Sequence, residues 1–81
     1  MIIKYFAWIK DITNKEYETI NNDFPKDINE LKKYLIKIYP DLQKHLSKDI
    51  LRFAINMEYV SENHNLNQND EIAIFPPVSG G

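Results

Sequence analysis

Residues 27–40 read Asp-Ile-Asn-Glu-Leu-Lys-Lys-Tyr-Leu-Ile-Lys-Ile-Tyr-Pro. Ile28, Leu31, Leu35, Ile38 and Tyr39 recur at helical spacing, and Lys32, Lys33 and Lys37 fall elsewhere on the cylinder, so one face is apolar and the rest is solvated. Asp27 and Glu30 form a capping box, in which the Asp oxygen accepts an orphan N–H and Glu30 reaches back. Pro40 ends the pattern, because its ring cannot continue a helix and it offers no N–H. A single amphipathic helix is therefore expected, and its apolar stripe has to be covered by a second layer.

The flanking sequence supplies that layer as strands. Ahead of the helix, Ile2 to Ile9 alternates, with Ile3, Tyr5, Ala7 and Ile9 on one face and Ile2, Lys4, Phe6 and Trp8 on the other. Asp11 to Lys15 reads as a turn, Glu16 to Ile20 as a short strand completing a hairpin, and Phe24-Pro25 closes the segment. Behind the helix, Leu42 and Leu46 at i and i+4 suggest one or two further helical turns over Asp41 to Ser47. Leu51, Phe53 and Ile55 then alternate with Arg52, Ala54 and Asn56, and Glu58 to Val60 pairs with that strand across a tight turn near Asn56 and Met57. Ser61 to Asp70 is a polar loop in which only Leu66 looks buried. The last strand is Glu71 to Phe75, after which Pro76 and Pro77 offer no ladder donors. The expected architecture is α+β: one mixed sheet covered on one face by one main helix, its other face open. The expected division is a folded domain over residues 1–77 and a flexible Gly-Gly tail over 78–81.

With 81 residues the chain has surface for one core only. Its 43% hydrophobic, 12% aromatic and 27% charged content is that of a folding globular domain. Ten basic against twelve acidic side chains give a net charge of -2, the wrong sign for affinity based on phosphate neutralisation, so nucleic acid is not expected as a partner. The absence of cysteine excludes disulfides, thiolate metal sites and a Cys nucleophile together. Lys4, Lys10 and Asp11 interrupt the amino-terminal apolar run before any signal-peptide core, and no run approaches the roughly 20 apolar residues of a membrane span. A cytoplasmic protein without membrane association is expected.

Few side chains invite chemistry. His45 and His64 have no Asp, Glu or His at ligand spacing, so both read as solvent-exposed and no metal is expected. Asp70-Glu71 reads as a turn acid opening a strand, since general acid–base work needs a partner in a cleft. Ser47, Ser61 and Ser79 have no nucleophile-elbow context. The two glycines are more telling: they are Gly80 and Gly81, where random placement would set them in roughly one arrangement in three thousand. Without a Cβ, such a tail can enter a channel too narrow for any other residue, and its carboxylate can be closely approached. Pro76-Pro77 stiffens the exit into polyproline II, and Val78 to Gly81 reaches about 13 Å when extended. The pattern suggests a probe for another protein's active site.

Residues 70–81, Asp-Glu-Ile-Ala-Ile-Phe-Pro-Pro-Val-Ser-Gly-Gly, resemble the carboxyl-terminal signature of the small, sulfur-carrying subunits of molybdopterin synthase. Tyr5 to Asp11 resembles their first strand, and the Phe53-Ala54-Ile55-Asn56 strand also agrees, so the likeness spans the chain. Asn69 departs from the glycine common there, but Asn tolerates the left-handed conformation, so the turn is expected to survive. The resemblance implies a ubiquitin-like β-grasp fold with adjacent, parallel first and last strands. Ile3, Tyr5, Ile72 and Ile74 then face the helix, and Phe6 and Phe75 point outward side by side on an uncharged patch that Tyr59 extends, with Pro76 and Pro77 at its end.

The function implied by the resemblance is sulfur transfer without cysteine. A ubiquitin-activating-type enzyme spends ATP to adenylate the Gly81 carboxylate, and a sulfur donor such as a cysteine desulfurase or a rhodanese-like protein displaces AMP, leaving a thiocarboxylate. No cofactor is bound. The large synthase subunit receives the tail, Val78, Ser79, Gly80 and Gly81, and supplies the acid–base groups this chain lacks, so the chain itself is a sulfur-donating, non-catalytic subunit. A dithiolene contains two sulfurs, so two charged carriers serve each pterin, in keeping with a heterotetramer. The alternatives are a thiamin-type sulfur carrier, a ubiquitin-like modifier conjugated through Gly81, and a binding module with an inert tail.

Overall fold

The structure is a computed structural model, and it describes residues 1–77. The expectations for Val78, Ser79, Gly80 and Gly81 lie outside the described residues. In chain order the elements are β1 (Ile2–Tyr5), α1 (Ile9–Thr13), β2 (Tyr17–Thr19), α2 (Ile28–Ile38), a 3-10 turn (Pro40–Leu42), α3 (Gln43–Ser47), β3 (Arg52–Ile55), β4 (Glu58–Val60) and β5 (Glu71–Phe75). The five strands form one mixed sheet in the order β2-β1-β5-β3-β4. β1 and β5 run parallel, with Ile3 opposite Ile72 and Tyr5 opposite Ile74, and the other pairings are antiparallel. With α2 packed on it, this is the ubiquitin-like β-grasp.

The core follows from the two periodicities. Ile3, Tyr5, Phe53, Ile55, Ile72 and Ile74 point to one side of the sheet and join Ile28, Leu31 and Leu35 of α2 in a single buried cluster. Each such side chain contributes roughly 1.5–3 kcal/mol by leaving water. Leu42 and Leu46, on the 3-10 turn and α3, extend the cluster, so the two short helical pieces after Pro40 are held by burial, being too short to persist alone. Leu66 is the buried residue of the polar loop, drawn in by the hydrogen bond from its N–H to the Lys26 carbonyl, 2.8 Å. The β3–β4 hairpin turns on Asn56 and Met57, whose φ angles of 50° and 73° match a two-residue turn of left-handed type.

Several expectations are corrected. β1 stops at Tyr5 and does not run to Ile9: Ala7 takes φ 55°, and Ile9–Thr13 forms a short helix where the end of a strand and a turn over Asp11 to Lys15 are expected. Ile9 and Thr13, four apart, are both buried, so burial at helical spacing overrides the apparent alternation. Asn14 closes this helix at φ 60°, its N–H donating to the Lys10 carbonyl. Ile38 is 44% exposed and not part of the apolar face. α2 ends there, and Tyr39 turns inward against the core in its place. The Asp27 cap is made, its Oδ1 accepting from the Glu30 N–H at 2.8 Å, but Glu30 reaches back to the N–H of Lys26, at 3.4 Å, and not to that of the cap residue. The turn before β5 survives without a left-handed Asn69: the Asp70 N–H donates to the Asn67 carbonyl at 3.1 Å, and Asp70 Oδ2 accepts from the Asn67 N–H at 2.7 Å.

Candidate functional site

Strand parity divides β5 between the two layers. Ile72 and Ile74 are fully buried, so Glu71, Ala73 and Phe75 must point to the open face. Register then fixes their neighbours: Ala73 lies opposite Lys4 of β1 and Ala54 of β3, and Phe75 lies opposite Arg52. Tyr59 of β4 is opposite Ala54. Its ring meets that of Phe75 edge-on with centroids 5.4 Å apart, although β3 separates their strands. The two rings can meet only above β3, where the small Ala54 leaves room beneath them. Ala54 is accordingly just 8% exposed despite its place on the open face.

Phe6, one residue past β1, continues the parallel ladder by donating its N–H to the Ile74 carbonyl at 3.0 Å. Phe6 and Phe75 thus leave the sheet at the same end of neighbouring strands. Among the described residues, however, Phe75 makes its ring contact with Tyr59, and Phe6 instead borders a shallow hollow with Lys4, Lys10 and Tyr17. Phe6 is 45% and Tyr59 76% exposed. Pro76 and Pro77 follow β5 without regular structure. The expected uncharged patch is corrected: Lys4 Nζ pairs with Glu71 Oε1 at 3.0 Å on this face, and Arg52 stands beside Phe75. The Lys4–Glu71 pair is half exposed and so contributes little, ~1 kcal/mol or less.

A second cluster escaped the sequence reading. Glu18 of β2 accepts hydrogen bonds from the Tyr5 hydroxyl at 2.5 Å, the Tyr39 hydroxyl at 3.0 Å and Lys15 Nζ at 3.0 Å. Burial works against its ionisation, but the three donors outweigh that and hold its carboxyl below the usual range. Burial, with the Glu18 carboxylate beside it, pushes the Tyr5 hydroxyl up. Two of the donors come from buried or half-buried tyrosines far apart in sequence, so only the fold could bring them together. The cluster ties the edge strand β2 to the end of α2, half-buried on the helix side of the sheet and away from the open face. His45 is likewise half-buried, not fully exposed, with the Trp8 ring packed against it at a tilt of 52°, centroids 4.6 Å apart. His64 is exposed, as expected. Among the described residues no group of three or more His, Asp or Glu side chains could hold a metal ion, and no helix is long and apolar enough to cross a membrane.

The sequence profile of the ThiS family matches residues 3–81. The chain belongs to the ThiS family. Within it, the chain is 41% identical over 85 residues to the "Molybdopterin synthase sulfur carrier subunit" of Dictyostelium discoideum, covering 98% of this chain and 93% of that protein. Among solved structures, a chain in the complex of subunits 1 and 2 of the molybdopterin-converting factor from Helicobacter pylori superposes with TM-score 0.65 at 26% identity, covering 99% of this chain and 96% of the other. SAMP1, the small archaeal modifier protein 1 of Haloferax volcanii, superposes with TM-score 0.78 at 23% identity over 99% of this chain and 97% of its own. At that identity the last likeness is one of fold alone. The parallel β1–β5 pair in this ThiS-family chain is therefore the β-grasp arrangement that the carboxyl-terminal signature implied.

Proposed function

We propose that this chain is the sulfur carrier subunit of a molybdopterin synthase. The observation that carries the reading is the near full-length likeness to a protein of that name, in a chain whose residues 75–81 read Phe-Pro-Pro-Val-Ser-Gly-Gly. The geometry is compatible with it: the central strand β5 ends on an open aromatic face at Phe75, the first residue of that sequence. A thiamin-type carrier and a protein modifier are not favoured by the name of the full-length relative, and the likeness to the archaeal modifier is one of fold alone.

In this reading a cytoplasmic adenylating enzyme of the ubiquitin-activating type joins the Gly81 carboxylate to AMP from ATP, releasing pyrophosphate. Activation is needed because a carboxylate is a poor electrophile at neutral pH and a mixed anhydride a good one. Sulfide displaces AMP to give the thiocarboxylate directly, whereas a persulfide donor first gives an acyl disulfide, whose S–S bond a donor thiol then cleaves, the donor leaving as a disulfide. The thiocarboxylate gives its sulfur to the pterin precursor held by the large subunit, and hydrolysis returns the Gly81 carboxylate. The face around Phe75, Tyr59 and Phe6, with Pro76 and Pro77 at its rim, docks that subunit and accounts for most of the affinity. The chain thus supplies sulfur and an address, and the large subunit supplies catalysis.

The test is deletion of Gly81, together with intact-mass measurement of the wild-type protein isolated from its own cells. Deletion should abolish molybdopterin formation with the melting temperature unchanged, since the core described above is built from residues up to Ile74. The wild-type protein should gain the mass of one oxygen exchanged for sulfur. Molybdopterin formation by the deleted chain would refute the reading.

A further inference from the structure

Arg52 is the only arginine in the sequence. Its neighbour Phe53 is in the core, so the Arg52 side chain takes the open side of β3, opposite Phe75. One arm of the guanidinium is fixed, Nη1 donating to the Asp49 carbonyl at 2.8 Å. The ion pairs among the described residues join Lys4 to Glu71, Lys15 to Glu18 and Lys32 to Asp49, and none includes Arg52. Two cations near the aromatic face therefore differ in kind. Lys4 already has a carboxylate; among the described residues Arg52 has a single carbonyl for five N–H donors.

A guanidinium cannot give up its proton, so covering it leaves a charge to be satisfied. Phe75 and Tyr59 cannot be covered by another protein without also covering Arg52, which lies beside Phe75 on β3. A partner presenting only apolar groups would lose affinity by stripping the guanidinium of water, whereas a carboxylate would match the planar fork with two parallel hydrogen bonds. Arg52 also borders a cleft of about 530 Å³ at the β4 edge of the sheet, lined with it by Lys32, Asp49, Tyr59 and Glu62, so there is room for an approaching side chain.

We propose that Arg52 is a specificity-determining residue of the partner face, pairing through its free N–H groups with an Asp or Glu side chain of the large subunit. The proposal rests on the reading that the Phe75–Tyr59 face docks that subunit. It goes beyond that reading in assigning the partner a carboxylate at one place, opposite the end of β3. A large subunit lacking that acid would be rejected even where its apolar surface fits.

The experiment measures affinity for the large subunit from the same cells by calorimetry, at low and high salt, for wild type, Arg52→Gln, Arg52→Lys and Phe75→Ala. Arg52→Gln should bind at least ~10-fold more weakly at low salt, the loss expected when a charge-assisted hydrogen bond disappears. The difference should narrow at high salt. Arg52→Lys, which keeps the charge and loses the fork, should recover only part of the affinity. Thermal melts of the Arg52 variants should match wild type, because the side chain lies outside the core. Wild-type binding by Arg52→Gln with weakened binding by Phe75→Ala overturns the carboxylate pairing and leaves the docking face standing. Wild-type binding by both overturns the face itself, and full affinity in Arg52→Lys overturns the bidentate geometry.

Discussion

Ile74 and Phe75 are consecutive in β5 and face opposite layers, which allows stability and binding to be separated within one strand. Ile74 is fully buried, and removing one methylene in Ile74→Val should cost about 1 kcal/mol through lost burial and the small void left behind. Phe75→Ala forfeits the edge-on contact with Tyr59, centroids 5.4 Å apart, and such a ring pair contributes about 0.5–1.5 kcal/mol. The two variants should therefore lose similar stability. In a domain of this size each should melt some 4–8 °C lower. Their affinities for the large subunit should differ sharply. Phe75→Ala removes the aromatic centre of the open face and should cost about 2 kcal/mol or more of binding, roughly thirtyfold in Kd. Ile74→Val leaves every outward atom in place and should bind within a factor of two of wild type, roughly the scatter of a distant conservative change. Calorimetric titration gives the affinities, and melting curves on the same preparations give the stabilities. Equal losses of affinity in the two variants would refute the reasoning, because they would show that binding follows the stability of the strand and not the side chains it presents.

Glu18→Gln should destabilise the fold by about 1–2 kcal/mol through loss of charge-assisted bonds from Tyr5, Tyr39 and Lys15. Its effect should depend on pH in a fixed sense: the Glu18 carboxyl is held below its ordinary value of 4.5 in the folded state, so its contribution is complete above that pH and is lost as pH falls through the lower folded value. Melting temperatures from about pH 5 to pH 3 should fall more steeply for wild type than for Glu18→Gln, and parallel slopes would contradict the assignment. Met57→Gly should stabilise by about 0.5–1 kcal/mol, because Met57 holds φ 73° in the hairpin turn while its side chain is 93% exposed. A lower melting temperature for Met57→Gly would indicate that the methionine makes a contact the structure does not contain.

The sequence made the fold legible wherever one period dominated. The α2 stripe of Ile28, Leu31 and Leu35, the alternation of β3 and β5 and the stop at Pro40 all register local physics, and the structure follows them. Failures occur where two periods fit the same residues. Ile9 is two residues past Ala7, as in a strand, and four before Thr13, as in a helix. The choice was made by burial of Ile9 and Thr13 against the finished core, which no local pattern contains. Ile38 fails for a related reason, since helical spacing marks it as inward while the helix ends at that residue and Tyr39 takes the inner place.

For the candidate site, parity turns Phe6 and Phe75 away from α2, whereas Tyr59 joins them only through its nearness to the hairpin. Parity assigns a side chain to a face, and contact within that face depends on register and on the sizes of the residues between. Phe75 meets Tyr59 across a whole strand because the residue intervening is Ala54, whose small side chain leaves the space above β3 free. A bulkier residue at position 54 would hold the rings apart and fill the middle of the face. The same register sets Arg52 beside Phe75, and so converts an apparently solvated strand residue into a charge that any partner covering the aromatic pair must neutralise. The apolar content of such a face supplies affinity for many surfaces. The single guanidinium in its midst restricts that affinity to surfaces that bring an acceptor to one point, and a carrier whose sulfur must reach a single acceptor needs such a restriction more than it needs additional apolar area.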